Sequence, residues 1–212
     1  MPAKLQIALD LTDLGLAAKI ATIAIEEDVD IVEVGTPLIK KYGELSIRVI
    51  KSIAKNKPVV ADLKTLDTGK IEAEIAFNAG ADIVSVSALA DDKTILDALE
   101  ISRKYEGLIY VDLINVRDIP SEIERLKKFG IDYIILHTGI DQQVRGEKVE
   151  KILAKYSSFI PNEKLVVAGG INLENLNQIL KYNPAIIIVG GAVYKSRDPR
   201  ETIKKLLQIL RH

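Results

Sequence analysis

Val29-Asp30-Ile31-Val32 returns as Ala81-Asp82-Ile83-Val84, as Ile131-Asp132-Tyr133-Ile134 and, with Ala in second place, as Pro184-Ala185-Ile186-Ile187. The steps between copies are 52, 50 and 53 residues. Each step holds two strand–helix units, so the motif marks every second strand, like four quarters of a ring. Outward from it, β-branched runs predict strands over 5–10, 30–35, 58–65, 82–88, 107–115, 132–139, 164–170 and 185–191. Between them lie segments with apolar residues at i, i+3 and i+4: 14–27, with Thr12 or Asp13 as N-cap, then 68–78, 92–104, 119–129 and 199–210. Such alternation means parallel strands with helical crossovers. An open doubly wound sheet typically has about five or six strands. Eight predict a (β/α)8 TIM barrel, α/β in class, one compact domain over residues 1–212.

Of the 212 residues 48% are hydrophobic and 28% charged, and 29 Lys and Arg face 30 Asp and Glu, a formal charge of −1. That balance gives no electrostatic footprint for nucleic acid or an anionic membrane. No apolar run approaches the ~20 residues of a membrane helix, and no basic region precedes an apolar stretch at the N-terminus. The absence of Cys excludes disulfides, thiolate nucleophiles and Cys-ligated zinc. A cytoplasmic protein without nucleic-acid or membrane partners is expected.

In such a barrel catalytic groups stand at the C-terminal ends of strands. There the sequence puts Asp10, Glu33, Asp62, Lys64, Asp112 and His137, with Asp67 just beyond the third strand. Alternation along a strand turns Asp62 and Lys64 to one face and Ala61 and Leu63 to the helices; likewise Gln6, Ala8 and Asp10 point inward, Leu5, Ile7 and Leu9 outward. Singly, each of these acids is as compatible with a structural ion-pair network. Converging on one mouth, they read as catalytic and need a compensating cation. Glu33 and Asp62, on neighbouring strands, suit a hard divalent ion such as Mg2+.

Gly169-Gly170 and Gly190-Gly191 end the last two strands, where these barrels commonly bind phosphate on backbone N–H groups. His137 closes the sixth strand and is the candidate for proton transfer near neutral pH; His212 ends the chain and is expected to fray. Tyr42, Tyr105, Tyr110 and Tyr156 follow no such pattern and are assigned to packing.

Asp62-Leu63-Lys64-Thr65-Leu66-Asp67 resembles the Asp-x-Lys-x-x-Asp signature of the orotidine monophosphate decarboxylase superfamily. Within it, Leu5–Asp10, Val32–Ile39, Val60–Thr65, Val111–Val116, His137–Gln142 and Val167–Ile171 are similar to the 3-hexulose-6-phosphate synthases. The resemblance implies an aldehyde-lyase of the ribulose monophosphate pathway. It would condense D-ribulose 5-phosphate with formaldehyde, reversibly, to D-arabino-hex-3-ulose 6-phosphate through a Mg-stabilised enediolate. Orotidine decarboxylases are metal-free and carry Lys where Glu33 stands. The 3-keto-L-gulonate 6-phosphate decarboxylases share Asp10, Glu33, Asp62, Lys64, Asp67 and His137, but have Glu, Arg, Thr and Arg where this chain has Asp112, Ile140, Ala168 and Ala192. That decarboxylase, or a pentulose-phosphate isomerase or epimerase using the same enediolate, is the alternative reading.

The resemblance assigns Glu33 and Asp62 to Mg2+, and the four glycines, Asp10 and Asp62 to the sugar phosphate. His137 is the first choice for the C1 base, Lys64 a charge on the developing oxyanion, and Asp112 an orienter of water or a substrate hydroxyl. Asp67 resembles a residue contributed across a homodimer interface into the neighbouring site.

Overall fold

The computed structural model describes residues 2–211; His212 lies outside the described residues. The order is β1 (Lys4–Leu9), α1 (Leu14–Glu26), β2 (Ile31–Val34), α2 (Thr36–Tyr42), α3 (Glu44–Ala54), β3 (Val59–Thr65), α4 (Gly69–Asn78), β4 (Ile83–Ser87), α5 (Asp92–Lys104), β5 (Leu108–Asp112), α6 (Ile119–Lys127), β6 (Tyr133–His137), α7 (Ile140–Val144), α8 (Val149–Tyr156), β7 (Leu165–Ala168), α9 (Leu176–Leu180), β8 (Ile186–Val189), α10 (Gly191–Tyr194) and α11 (Pro199–Arg211). All eight strands are parallel, each pairs with the next, and β8 closes on β1. The eightfold strand pattern is therefore as the sequence indicates. The helices are more numerous than eight because β2, β6 and β8 are each followed by two. Asp13 is the cap of α1, accepting from the Leu16 N–H at 2.8 Å.

The internal repeat has a structural cause. Asp30, Asp82 and Asp132 sit just before β2, β4 and β6, and each carboxylate accepts a backbone N–H from the preceding strand: Leu5 at 2.8 Å, Val59 at 2.7 Å and Ile109 at 2.9 Å. These bonds satisfy donors at the N-terminal rim of the barrel. The fourth copy carries Ala185, which has no carboxylate to offer.

Two apolar layers separate by strand parity. Leu5, Ile7, Leu9, Ala61 and Leu63 belong to the layer between sheet and helices. Ala8, Ile31, Val60, Ile83, Tyr110, Ile135, Val166 and Ile186 fill the barrel interior. That filling is a floor, so polar side chains further along the strands can meet only at the C-terminal mouth. Tyr110 packs as expected but inside the barrel, edge-on to Tyr133 with ring centroids 5.3 Å apart. Among the described residues no helix is long and apolar enough to cross a membrane.

Candidate active site

A cavity of about 810 Å³ opens at the C-terminal ends of the strands. Asp10, Glu33, Asp62, Lys64, Asp112, His137, Gly169, Gly170, Gly190 and Gly191 all line it. Asp67 does not: it lies exposed on the loop after β3, accepting the N–H of Thr68 at 2.8 Å.

Asp62 is the hub. Its Oδ2 accepts from Lys64 Nζ at 2.5 Å and from the Thr36 hydroxyl at 2.7 Å, while Oδ1 accepts from the Ser85 hydroxyl at 2.7 Å. Lys64 Nζ also lies 3.4 Å from Asp112 Oδ2. Burial opposes the lysine's charge, but Asp62, Asp112 and Glu33 outweigh it and hold the ammonium protonated, with its pKa above the usual lysine value.

Asp112 is fully buried, its Oδ1 accepting the Ile114 N–H at 2.9 Å and its Oδ2 accepting His137 Nδ1–H at 2.8 Å. Desolvation would raise its pKa, yet the charge and hydrogen bond of His137, with Lys64 and the Ile114 amide, bring it down to about 2. Nδ1 of His137 is thereby committed as donor, which leaves Nε2 to act as acceptor in the neutral ring.

Across the mouth, Asp10, Glu33 and Asp62 each offer an oxygen within 4.8 Å of the others. Burial, then the charges of Asp62 and Asp10, push the Glu33 carboxyl well above its ordinary pKa; Lys64 and Gln6 pull the other way. Asp10 is raised too, by burial first and by Asp62 second. A cluster of hard oxygen donors whose members resist ionising together fits a divalent cation such as Mg2+. Gln6 Nε2 donates to Glu33 Oε2, and the Tyr110 hydroxyl donates to Gln6 Oε1 at 3.2 Å, so a buried chain fixes one oxygen of Glu33.

On the opposite wall Gly169 has φ +100° and Gly170 φ +70°. A Cβ on Gly169 would stand 2.0 Å from the Thr138 carbonyl oxygen, so only glycine lets this turn close against β6. Sequence reasoning missed Thr36 and Ser85, and placed Gln6 inward without giving it a partner. Inward parity in Ile83–Ser87 was the available signal for Ser85, though it names no bond.

Residues 3–206 match the family described as Orotidine 5'-phosphate decarboxylase / HUMPS. The 3-hexulose-6-phosphate synthase of Bacillus subtilis (strain 168) is 37% identical over 207 residues, 98% of each chain. The solved 3-hexulose-6-phosphate synthase of Salmonella typhimurium superposes with a TM-score of 0.94 at 34% identity over 98% of both chains. The solved 3-keto-L-gulonate-6-phosphate decarboxylase of Vibrio cholerae gives 0.86 at 27% identity over 100% of this chain and 98% of its own. Sequence and fold agree along the whole barrel, and the chain belongs to the orotidine 5'-phosphate decarboxylase / HUMPS family.

Proposed function

We propose that the chain is a 3-hexulose-6-phosphate synthase, an aldehyde-lyase that reversibly joins D-ribulose 5-phosphate to formaldehyde. One observation carries this over the decarboxylase: Asp112, Ile140, Ala168 and Ala192 all line the cavity. At two of these positions a wall of Ile and Ala replaces guanidinium groups, which would pair with an anionic or hydroxyl-rich substrate group that formaldehyde does not have.

The substrate phosphate rests on backbone N–H groups near Gly169, Gly170, Gly190 and Gly191, and the sugar reaches across to the carboxylates. Neutral His137 takes a proton from C1 at Nε2, giving a cis-enediolate, and Asp112 holds the ring and stabilises the imidazolium that forms. Lys64 places positive charge beside the developing oxyanion. The enediolate carbon bonds to the formaldehyde carbon, and the resulting alkoxide takes the proton back from His137. Mg2+ held by Glu33 and Asp62, with Asp10 beside them, supplies Lewis-acid stabilisation of charge on oxygen when bound.

Partnering with a second copy is part of this reading. Leu66, Ile71, Ile75, Leu89 and Leu96 are 59%, 58%, 48%, 56% and 43% exposed on and around α4 and α5, beside Asp67. A dimer covering them would bury apolar surface and bring Asp67 toward the neighbouring mouth.

The test is consumption of ribulose 5-phosphate with and without formaldehyde, before and after chelation. Formaldehyde-dependent consumption, abolished by EDTA and restored by Mg2+, is expected. Formaldehyde-independent interconversion of pentulose phosphates would favour the isomerase, and full activity after thorough chelation would remove the metal.

A further inference from the structure

The β3–β4 ladder breaks between its last two regular pairs. Ala61 lies opposite Val84 and Thr65 opposite Val86, so residues 62–64 of β3 face Ser85 alone. Two extra residues are thus accommodated in β3 just where Asp62 and Lys64 stand. Lys64 absorbs the distortion with φ +49°, a left-handed conformation that strains a bulky L-residue. Its amide has left the regular ladder, and the Ser85 hydroxyl accepts it at 2.9 Å. The same hydroxyl oxygen sits 2.7 Å from Asp62 Oδ1. Having accepted one hydrogen bond, it turns its own proton to that carboxylate. Ser85 borders the cavity but is only 1% exposed, so its hydroxyl makes these two bonds largely shielded from water.

We infer that Ser85 is a positioning residue of the reaction, one hydroxyl that pins the β3 bulge so that Asp62 and Lys64 keep their pairing beneath the substrate. The inference rests on the proposed aldehyde-lyase reading. It goes beyond that reading because Ser85 touches no reacting atom and acts through the backbone of Lys64 and the carboxylate of Asp62. A bulge next to an active site that re-aims a side chain is a known use of the irregularity. Here it lets a lysine two residues from an aspartate fold back onto it. An unpinned bulge lets Lys64 relax toward extended backbone and withdraws Nζ from Asp62 and Asp112.

The test compares wild type, Ser85→Ala and Ser85→Thr in two measurements. In steady-state kinetics Ser85→Ala should lower kcat by about 30- to 100-fold, the scale of an ångström's misplacement, with KM for ribulose 5-phosphate within about threefold. Ser85→Thr, which keeps the hydroxyl, should recover most of the loss. In hydrogen exchange of the metal-free protein, the Lys64 amide should exchange at least ~10-fold faster in Ser85→Ala than in wild type, and near the wild-type rate in Ser85→Thr. An Ala variant with wild-type kcat and wild-type exchange at Lys64 overturns the inference, as does a loss expressed in KM with kcat intact. Inactive wild type overturns the aldehyde-lyase reading instead, and exchange at Lys64 then still decides whether Ser85 pins the bulge.

Discussion

His137 Nδ1–H and Asp112 Oδ2 meet at 2.8 Å across neighbouring strands, β6 and β5, with the aspartate wholly buried and the imidazole turned to the cavity. The pair adds a task for Asp112 to the one expected from the resemblance, orienting water or a substrate hydroxyl. Its oxygens accept from His137 and the Ile114 amide and lie beside Lys64, so in the proposed reaction it holds the His137 ring.

Asp112→Asn keeps the shape but not the charge. The amide can present its NH2 to Nδ1 and favour the tautomer with the proton on Nε2, which disables the base. We expect kcat to fall by about 10²-fold with KM little changed, checked by steady-state kinetics. Stability gives a second readout. The Asp112 pKa is depressed to about 2 in the fold, so its stabilising contribution is present above the unfolded-state value and is lost as pH falls through the folded one. That contribution is on the order of 2 kcal/mol, lost between about pH 4 and pH 2. Urea unfolding should show wild type losing more stability than Asp112→Asn over that window; parallel curves would contradict the ion pair.

Glu33 has the opposite sign. Its raised pKa means that its contribution to the metal-free fold is favourable below the unfolded-state value and is lost as pH rises through the folded value. At pH 7.5 the metal-free protein therefore carries a buried acid that the fold resists ionising. Glu33→Gln removes the conflict and can still accept from Gln6. Thermal unfolding without metal should show the variant about 2–4 °C more stable, equivalent to about 1 kcal/mol for a chain of this size. Adding Mg2+ should stabilise wild type far more than the variant. Equal stabilisation of both would remove Glu33 as a ligand.

What the sequence made legible follows periodicity. A repeat near fifty residues has few architectural explanations, and strand alternation put Asp10, Asp62 and Lys64 on the inner face, with Glu33 on the neighbouring strand. What it hid depends on irregularity. Strict alternation cannot reveal that β3 bulges by two residues, so the bond from the Lys64 amide to Ser85 could not be foreseen. Nor could the pairing of Asp112 with His137, because contact between strands depends on register across the barrel. Thr36 is neutral and carries no spacing signature, and Gln6, though alternation turns it inward, is neutral too; only their partners Asp62 and Glu33 give them meaning.

Gly169→Ala tests the proposed phosphate wall. With φ +100° and a Cβ 2.0 Å from the Thr138 carbonyl oxygen, the alanine must displace backbone. A loss of about 2–4 kcal/mol in unfolding free energy is expected, together with a rise in KM for the sugar phosphate of at least ~10-fold. Gly170→Ala is the comparison: its φ is +70°, but the added carbon would meet the Gln143 side chain at 3.3 Å and not backbone at 2.0 Å. Left-handed strain alone, about 1–2 kcal/mol, should describe it. Similar losses at both positions would mean that the contact with Thr138 relaxes freely.

Asp67 lies outside its own chain's cavity, exposed and flanked by Leu66, Ile71 and Ile75. If a second copy covers those side chains, Asp67 reaches the neighbouring mouth and each site draws residues from two chains. Asp67→Ala and Lys64→Ala should each be nearly inactive alone. In a mixed dimer one site carries both defects and the other carries neither. Coexpressed in equal amounts, the two variants should therefore recover about a quarter of wild-type activity, since about half of randomly paired dimers are mixed and each has one intact site. Leu66→Glu, placing a charge on the apolar face, should lower both the dimer fraction in sedimentation and the recovered activity. Mixed dimers that are demonstrably present yet inactive would mean that Asp67 does not complete a neighbour's site.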